Sequence, residues 1–305
     1  MQTDARLKGF AVIEPAPAKI NLALHVVGQR EDGYHLLDSL VTFTRFGDRI
    51  ALSPGDTDRF TLSGDFSGPL AEEPGDNLVV RARDRLRAAV IAAGASAPPV
   101  HIHLEKNLPL ASGIGGGSAD AAATLRGLSR LWRAALPDGA LTAIAIGLGA
   151  DVPMCLASRP LVARGIGEAL TPARIPSLDL VLANPLLGVS TPAVFGALAS
   201  KRNAPLALPA PLPGHNGWPA LLSSLRNDLE APARQTCPVI GTVSEALAQS
   251  GARFVRMSGA GATCFGLYTS SQAAEAAAET LAQSHPAWFF KATQTITQGD
   301  DRGPD

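Results

Sequence analysis

The chain has 305 residues, 46% hydrophobic and 17% charged, which is enough apolar material for one large or two ordinary cores and excludes a disordered protein. Twenty-six basic against twenty-seven acidic residues give a net charge of -1, so there is no general attraction for nucleic acid or anionic membrane, local patches aside, and a small-molecule partner is expected. Cys155, Cys237 and Cys264 are far apart and form no C-x-x-C pair, which argues against a disulfide framework or a zinc site and fits a reducing cytoplasm.

The opening "MQTDARLKGF" lacks the apolar core of a signal peptide. The longest apolar stretch, near "ALTAIAIGLGA", falls short of the roughly 20 residues of a membrane span, so a soluble, unexported protein is expected. "AKINLALHVV", residues 18–27, alternates with period two: Ile20, Leu22, Leu24 and Val26 take one face, and Lys19, Asn21 and His25 the other. That pattern predicts a half-buried strand. "LDSLVTFTRF", "DRIALS" and "RFTLSG" predict more strands of an antiparallel region, with turn-prone "GQREDG" and "SPGD" between them. "DNLVVRARDRLRAAVIAAG" predicts a helix capped by Asp76 or Asn77 and stopped by Gly94. "VHIHL" is again a strand; His101 and His103 share a face there with Glu105, but no further ligand is spaced to complete a metal site, so a solvated face is expected. A helix from about Ser118 would turn Leu125, Leu128 and Trp132 to a core, and another, about Asp138 to Leu148, leads into "GADVPM".

The texture restarts near residue 160, where a domain boundary is expected. "DLVLANP" predicts a strand, "TPAVFGALAS" a helix and "KRNAPLALPAPLPGHNGWP" a proline-rich connection. Then come a helix ("TVSEALAQSG"), two strands ("FVRM", "CFGLY") around the glycine turn "SGAGAT", a helix ("SQAAEAAAETLAQ") and a last strand ("WFFKATQ"), an order that suggests an α+β sandwich. The tail "GDDRGPD" reads as disordered.

"LPLASGIGGGSADAAATL", residues 108–125, joins a predicted strand to a predicted helix. Its glycines allow successive N–H groups to point into one concavity, and the helix terminus adds its positive end, a combination that suits phosphate. The Ser118 hydroxyl would cap the helix or reach a metal ion. No Walker lysine is present, and Gly113, Gly115 and Ser118 give only G-x-G-x-x-S, with no acidic residue placed to hold a ribose. On these residues alone a phosphate nest and a flexible connector both stand. Lys19 likewise reads as a strand-edge charge, and Asp151 as a turn aspartate before Val152-Pro153.

"PAPAKINLALHVVGQREDGYHLLDS", "KNLPLASGIGGGSADAAATL" and "MSGAGATCFGLY", with "GADVPM", "GVSTPAVF" and "NDLE", together resemble the GHMP kinases from residue 15 to about 268. "PAKINL" followed by "GQREDGYH" resembles the branch of that family whose acceptor is a cytidine diphosphate-linked methylerythritol, on the non-mevalonate route to isoprenoid precursors. The resemblance implies an α+β, two-domain GHMP kinase fold: an amino-terminal domain, 1–165, like domain 2 of ribosomal protein S5, and a ferredoxin-like carboxy-terminal domain, 166–305.

The same resemblance implies ATP-dependent phosphorylation of an alcohol. ATP would be cradled by Pro109, Leu110, Ala111, Ser112, Gly113, Ile114, Gly115, Gly116, Gly117, Ser118 and Ala119, and Mg2+ would arrive on its phosphates, with Ser118 as a protein contact. Lys19 would stabilise charge on the transferred phosphoryl group, Asn21 would point into the same cleft, and Asp151 would take the proton of the attacking alcohol. Tyr34 and Phe195 would sandwich the cytosine while His35 reads its polar edge, with Thr191 as a lesser contact. "SGAGAT" would lie beside the cleft, although Ala260 stands where the family often has serine, and Ser112 and Ile114 also vary the loop. A cytoplasmic monomer or weak homodimer that binds neither nucleic acid nor membrane is implied. Two rivals are a homoserine- or mevalonate-type kinase and a non-catalytic nucleotide- or RNA-binding protein on the S5-like fold. "GQREDGYH" opposes the first, because those substrates offer no cytosine; near-neutral charge and the pairing of Lys19 with Asp151 in matching segments oppose the second.

Overall fold

The computed structural model describes residues 7–72 and 77–299; Asp76 and residues 300–305 of the tail lie outside them. In chain order the first elements are β1 (Val12–Gln29), β2 (His35–Pro54), β3 (Arg59–Ser63), α1 (Gly68–Glu72), α2 (Leu78–Ala92) and β4 (Val100–Glu105). Then come α3 (Gly116–Leu131), α4 (Ala140–Leu148), α5 (Val152–Ala157), β5 (Leu161–Gly165), β6 (Ala169–Pro172), β7 (Asp179–Asn184) and α6 (Thr191–Gly196). After a 3-10 turn at His215–Gly217 follow α7 (Trp218–Ser224), α8 (Glu230–Thr236), α9 (Val239–Gln249), β8 (Phe254–Met257), β9 (Cys264–Leu267), α10 (Ser271–Ser284) and β10 (Phe289–Gln294).

The chain forms two compact units, each drawn from separate segments. The first comprises Met1–Ala18, Gly47–Leu108 and Gly115–Ala157. In it the second half of β2 pairs antiparallel with β4, Arg49 opposite Glu105 and Pro54 opposite Val100, while β3 pairs parallel with β4. The parallel pair departs from the antiparallel pattern expected of this region. Two parallel strands need a crossover, and α2 lies between β3 and β4 in the chain. Asn77 is the cap of α2, its side chain accepting the Val79 N–H at 2.9 Å, and Val79, Ala82, Leu86 and Val90 form the buried stripe that the spacing predicted. Helices α2 and α5 both pack on α3, whose Leu125 and Leu128 are fully buried.

The second unit comprises Lys19–Phe46, Pro109–Ile114 and Ser158–Asp305. Its four-stranded sheet has the order β10-β7-β9-β8, and each neighbouring pair is antiparallel. Helices α9 and α10 pack against this sheet and bury Ile240, Val243, Leu247, Ala274 and Leu281 with Val181, Ala183, Met257 and Cys264. The first half of β2 pairs with β5, and β5 with β6, both antiparallel. These two short strands were not expected, since five and four residues hold too little pattern to read.

Other expectations need correction. "LDSLVTFTRF" and "DRIALS" are parts of one 20-residue strand, β2. Strand β1 is not half-buried: Lys19, Asn21 and His25 are 4%, 3% and 2% exposed, so its polar face is buried as thoroughly as its apolar one. Helix α3 begins at Gly116 rather than near Ser118, α6 ends at Gly196, and the proline-rich connection gives way to α7, with proline in its first turn. Among the described residues no helix is long and apolar enough to cross a membrane.

Candidate active site

The alternation of β1 puts Lys19 and Asn21 on one face, two residues apart. The Lys19 ammonium donates to Asn21 Oδ1 at 2.8 Å, Asn21 Nδ2 donates to Ser39 Oγ on β2 at 2.8 Å, and Ser39 Oγ donates to the Ala23 carbonyl at 2.7 Å. A buried ammonium is costly unless polar groups replace its water, and Asn21 Oδ1, itself held by Ser39, is one such group. This leaves a cation in a fixed position with little solvent to screen it, as is needed to stabilise charge during phosphoryl transfer.

The glycine-rich loop is anchored in the same unit by its carbonyls. Thr263 N–H donates to Ser112 O at 3.1 Å, Ser258 Oγ to Gly113 O at 3.2 Å, and Lys19 N–H to Ile114 O at 2.9 Å. Ser112 Oγ itself turns back on Pro109 O at 2.7 Å. With these carbonyls pinned on the protein side, no N–H from Leu110 to Ile114 donates to another protein group among the described residues. A run of unspent donors in one loop is what an anion nest requires. Gly113 has φ +76°, and a Cβ there would lie 2.6 Å from Gly261 O and 2.7 Å from Ser258 O, so only glycine fits against the turn at 258–263.

Beyond the loop, Gly115 is the N-cap of α3 at φ 67° and supplies no side-chain cap, which leaves the N–H groups of Gly116, Gly117 and Ser118 at the helix terminus. Ala119 N–H is the first to bond back, to Gly115 O at 2.8 Å. Gly117 is exposed and Ser118 half-buried. Asp151, in the first unit, is a turn residue as read, and it directly precedes α5, its carbonyl accepting the Cys155 N–H at 3.1 Å.

In the second unit His35 stacks on Phe195, with ring centroids 4.7 Å apart and planes 27° apart. It is His35 rather than Tyr34 that meets Phe195, and Tyr34 is 57% exposed. His35 Nε2 is buried without a hydrogen-bond partner among the described residues. Burial, with the Lys201 charge nearby, holds the His35 pKa below the usual histidine value, so the ring is neutral at neutral pH. Ser190 caps α6, and exposed Thr191 precedes Phe195 by one turn on the same helix, so both lie on the same side of it.

Two residues within motifs noted in the sequence, but not singled out there, hold this region together. Ser258 is fully buried and central: its hydroxyl accepts the Asn21 N–H at 3.1 Å and donates to Gly113 O. Its position directly before a glycine turn is the only sequence signal. Asn227 of "NDLE" donates through Nδ2 to Met257 O and Gly259 O, holding the same turn from the other side. His101 and His103 are not solvated as expected but half-buried, bonded to Thr61 and Ser63 beside the Phe10 ring. Among the described residues no group of three or more His, Cys, Asp or Glu could hold a metal ion.

Comparison with known proteins gives the family. Residues 77–159 match the GHMP kinases N terminal domain, and residues 215–287 match the GHMP kinases C terminal domain. A relative from Rhizobium meliloti (strain 1021), named 4-diphosphocytidyl-2-C-methyl-D-erythritol kinase, is 59% identical over 95% of this chain and 97% of its own. One of the same name from Agrobacterium fabrum is 57% identical over 93% and 96%. A crystal structure of 4-(cytidine 5'-diphospho)-2C-methyl-D-erythritol kinase superposes with a TM-score of 0.76 at 35% identity, covering 93% of this chain and 99% of that one. Similarity at this level over nearly the full length leaves no doubt of kinship: the chain belongs to the GHMP kinases.

Proposed function

We propose that this GHMP kinase transfers the γ-phosphoryl group of ATP to the 2-hydroxyl of 4-diphosphocytidyl-2-C-methyl-D-erythritol, giving the 2-phosphate and ADP; its relatives carry the name of a kinase for that compound. The observation that carries the reading is the loop whose carbonyls at 112–114 are tied down while its N–H groups are unspent, beside a buried lysine in the same unit. In this reading residues 109–119 cradle the nucleotide phosphates through backbone N–H groups and the start of α3. Lys19, held by Asn21, supplies the cation that a Walker lysine supplies elsewhere. Asp151 takes the proton of the attacking hydroxyl.

The acceptor's cytosine is assigned to Tyr34, His35 and Phe195, with Thr191 at the rim. Phe195 and exposed Tyr34 offer ring faces, and the unpartnered Nε2 of a neutral His35 offers an edge that can answer the base's hydrogen-bonding groups. Mg2+ suits this donor set only as a companion of the nucleotide, since a half-buried serine hydroxyl and no carboxylate cluster among the described residues make no cage of their own. Ser118 is the hydroxyl assigned to it, and the ion would neutralise phosphate charge.

The proposal extends to the finer fold. The β7-α-β8-β9-α-β10 sequence with sheet order β10-β7-β9-β8 supports a ferredoxin-like carboxy-terminal domain, and the parallel β3–β4 pair with its crossover helix supports an S5-like amino-terminal one. A boundary near residue 165 falls between the two matched family segments. A cytoplasmic enzyme, monomeric or weakly dimeric, completes it. The test follows ADP release by purified protein with ATP, magnesium and a panel of alcohols. Release stimulated by the cytidine-linked alcohol is expected; stimulation by homoserine or mevalonate alone, or RNA affinity with no phosphotransfer, would overturn the reading.

A further inference from the structure

The first unit buries a cluster of three charges that the mechanism above does not use. Lys106, Asp48 and Asp120 are 1%, 1% and 2% exposed. The Lys106 ammonium donates to Asp48 Oδ2 and, at 2.8 Å, to Asp120 Oδ2. Asp48 Oδ1 accepts the N–H groups of Asn107 and Leu108, the latter at 2.8 Å. Asp120 lies one turn into α3, and a Cβ on Gly116, the first residue of that helix, would come within 2.9 Å of the Lys106 ammonium. The absent side chain at Gly116 is what lets the helix start sit directly on the cluster.

The position of these groups along the chain is informative. Asn107 and Leu108 are the last residues before the glycine-rich loop, and Gly116 and Asp120 are among the first after it, so a single buried cluster grips both ends of the segment. Three charges without water are a poor way to gain stability, because apolar residues of similar volume serve as well or better. What such a cluster does supply is directional bonding at fixed distances. Burial pushes the Asp120 carboxyl well up, with the Asp48 carboxylate adding to the push, and a proton on Asp120 would relieve the excess negative charge around Lys106.

We propose that Asp48, Lys106 and Asp120 form a clamp that fixes the two ends of the loop 109–115 relative to each other, and that they are thereby positioning residues for the ATP phosphates. This rests on the reading of residues 109–119 as the nucleotide loop. A loop released at one end would still reach the phosphates but would spend binding energy on being ordered, so the loss falls on nucleotide affinity rather than on the acceptor.

Steady-state kinetics of the purified enzyme test this with two variants. Asp120→Ala is expected to raise KM for ATP about tenfold while KM for the acceptor alcohol moves less than about twofold, and Asp120→Asn, which keeps the acceptor oxygen for Lys106, is expected to restore KM for ATP to within about threefold of the wild type. Should Asp120→Ala not fold, the triple variant Asp48→Asn, Lys106→Met, Asp120→Asn removes all three charges and strands none of them; it is expected to fold and to show the same selective rise. An unchanged KM for ATP in a folded variant, or equal rises for both substrates, overturns the clamp. Wild-type enzyme without ATP-dependent phosphotransfer overturns the kinase reading itself, and the clamp falls with it.

Discussion

The Lys19 ammonium donates to Asn21 Oδ1 at 2.8 Å, from a position two residues away on the same buried face of β1. The amide oxygen fixes the lysine head, and Ser39 in turn fixes the amide. If Lys19 stabilises the transferred phosphoryl group, Lys19→Met should lower kcat by about 10²- to 10³-fold with far smaller changes in KM. Asn21→Ala should produce a milder loss of the same kind. A kcat for Lys19→Met within a few fold of wild type would remove the lysine from the mechanism.

Asp151→Asn preserves shape while removing the carboxylate proposed as the base. Its turnover is expected to fall on the order of 10²-fold or more, with ATP binding by calorimetry and the melting temperature near wild type. Near-normal turnover would show that another group, or solvent, takes the proton.

Phe195 is packed against His35 on one side and belongs to a short helix whose start is exposed. Loss of a base-stacking ring typically costs about 1–3 kcal/mol. Phe195→Ala should therefore raise KM for the cytidine-linked acceptor by roughly one to two orders of magnitude and leave KM for ATP in place. A variant with unchanged acceptor affinity would count against the cytosine assignment.

Gly113 has no room for a methyl group, and its φ of +76° is unfavourable for any L side chain. Gly113→Ala should lose about 2 kcal/mol or more of stability and weaken ATP binding, because relieving the clash separates the loop from the turn at 258–263. Urea unfolding and ATP titration measure the two losses separately.

His25 Nε2 accepts the Arg226 N–H at 3.1 Å, so its Nδ1–H donates to Ala204 O at 3.2 Å, an arrangement that only the neutral ring can make. Burial, reinforced by Arg226, holds its pKa below the usual 6.5. Since the unfolded chain takes up this proton more readily than the folded one, stability contributed by the neutral ring is intact above about pH 7 and is lost as pH falls through 6.5 towards the folded value. The urea midpoint should fall between about pH 7.5 and pH 5.5, and His25→Gln should show a smaller fall over that window. Equal falls in both proteins would place the effect elsewhere, with His35, His101 and His103, whose pKa values are also lowered, as the next to test.

Much of the architecture could be read from local pattern. The stripe of α2, its Asn77 cap and the succession from α9 to β10 appear in the residues because each depends on neighbours three or four apart, or on alternation within one strand. The joining of two expected strands into β2 and the parallel placing of β3 beside β4 depend on partners as distant as Gly165 for Leu37, Glu105 for Arg49 and His101 for Arg59, which no window of sequence contains.

The candidate site divides in the same way. Glycine spacing, a lysine and an asparagine on one strand face, an aspartate in a turn and aromatic residues beside turns are properties of residue type and order, and these brought Lys19, Asn21, Asp151, His35 and Phe195 into view together with the kinase resemblance. The tertiary structure decided what those residues do to one another. Lys19 looked like a solvated edge charge because lysine usually is one, and only packing shows it 4% exposed and bonded to Asn21. Ser258 and the cluster of Asp48, Lys106 and Asp120 stayed hidden for a related reason. Their importance lies in hydrogen bonds and ion pairs between distant segments, and a sequence names the donors and acceptors without saying which of them will share a space too dry to leave any unpaired.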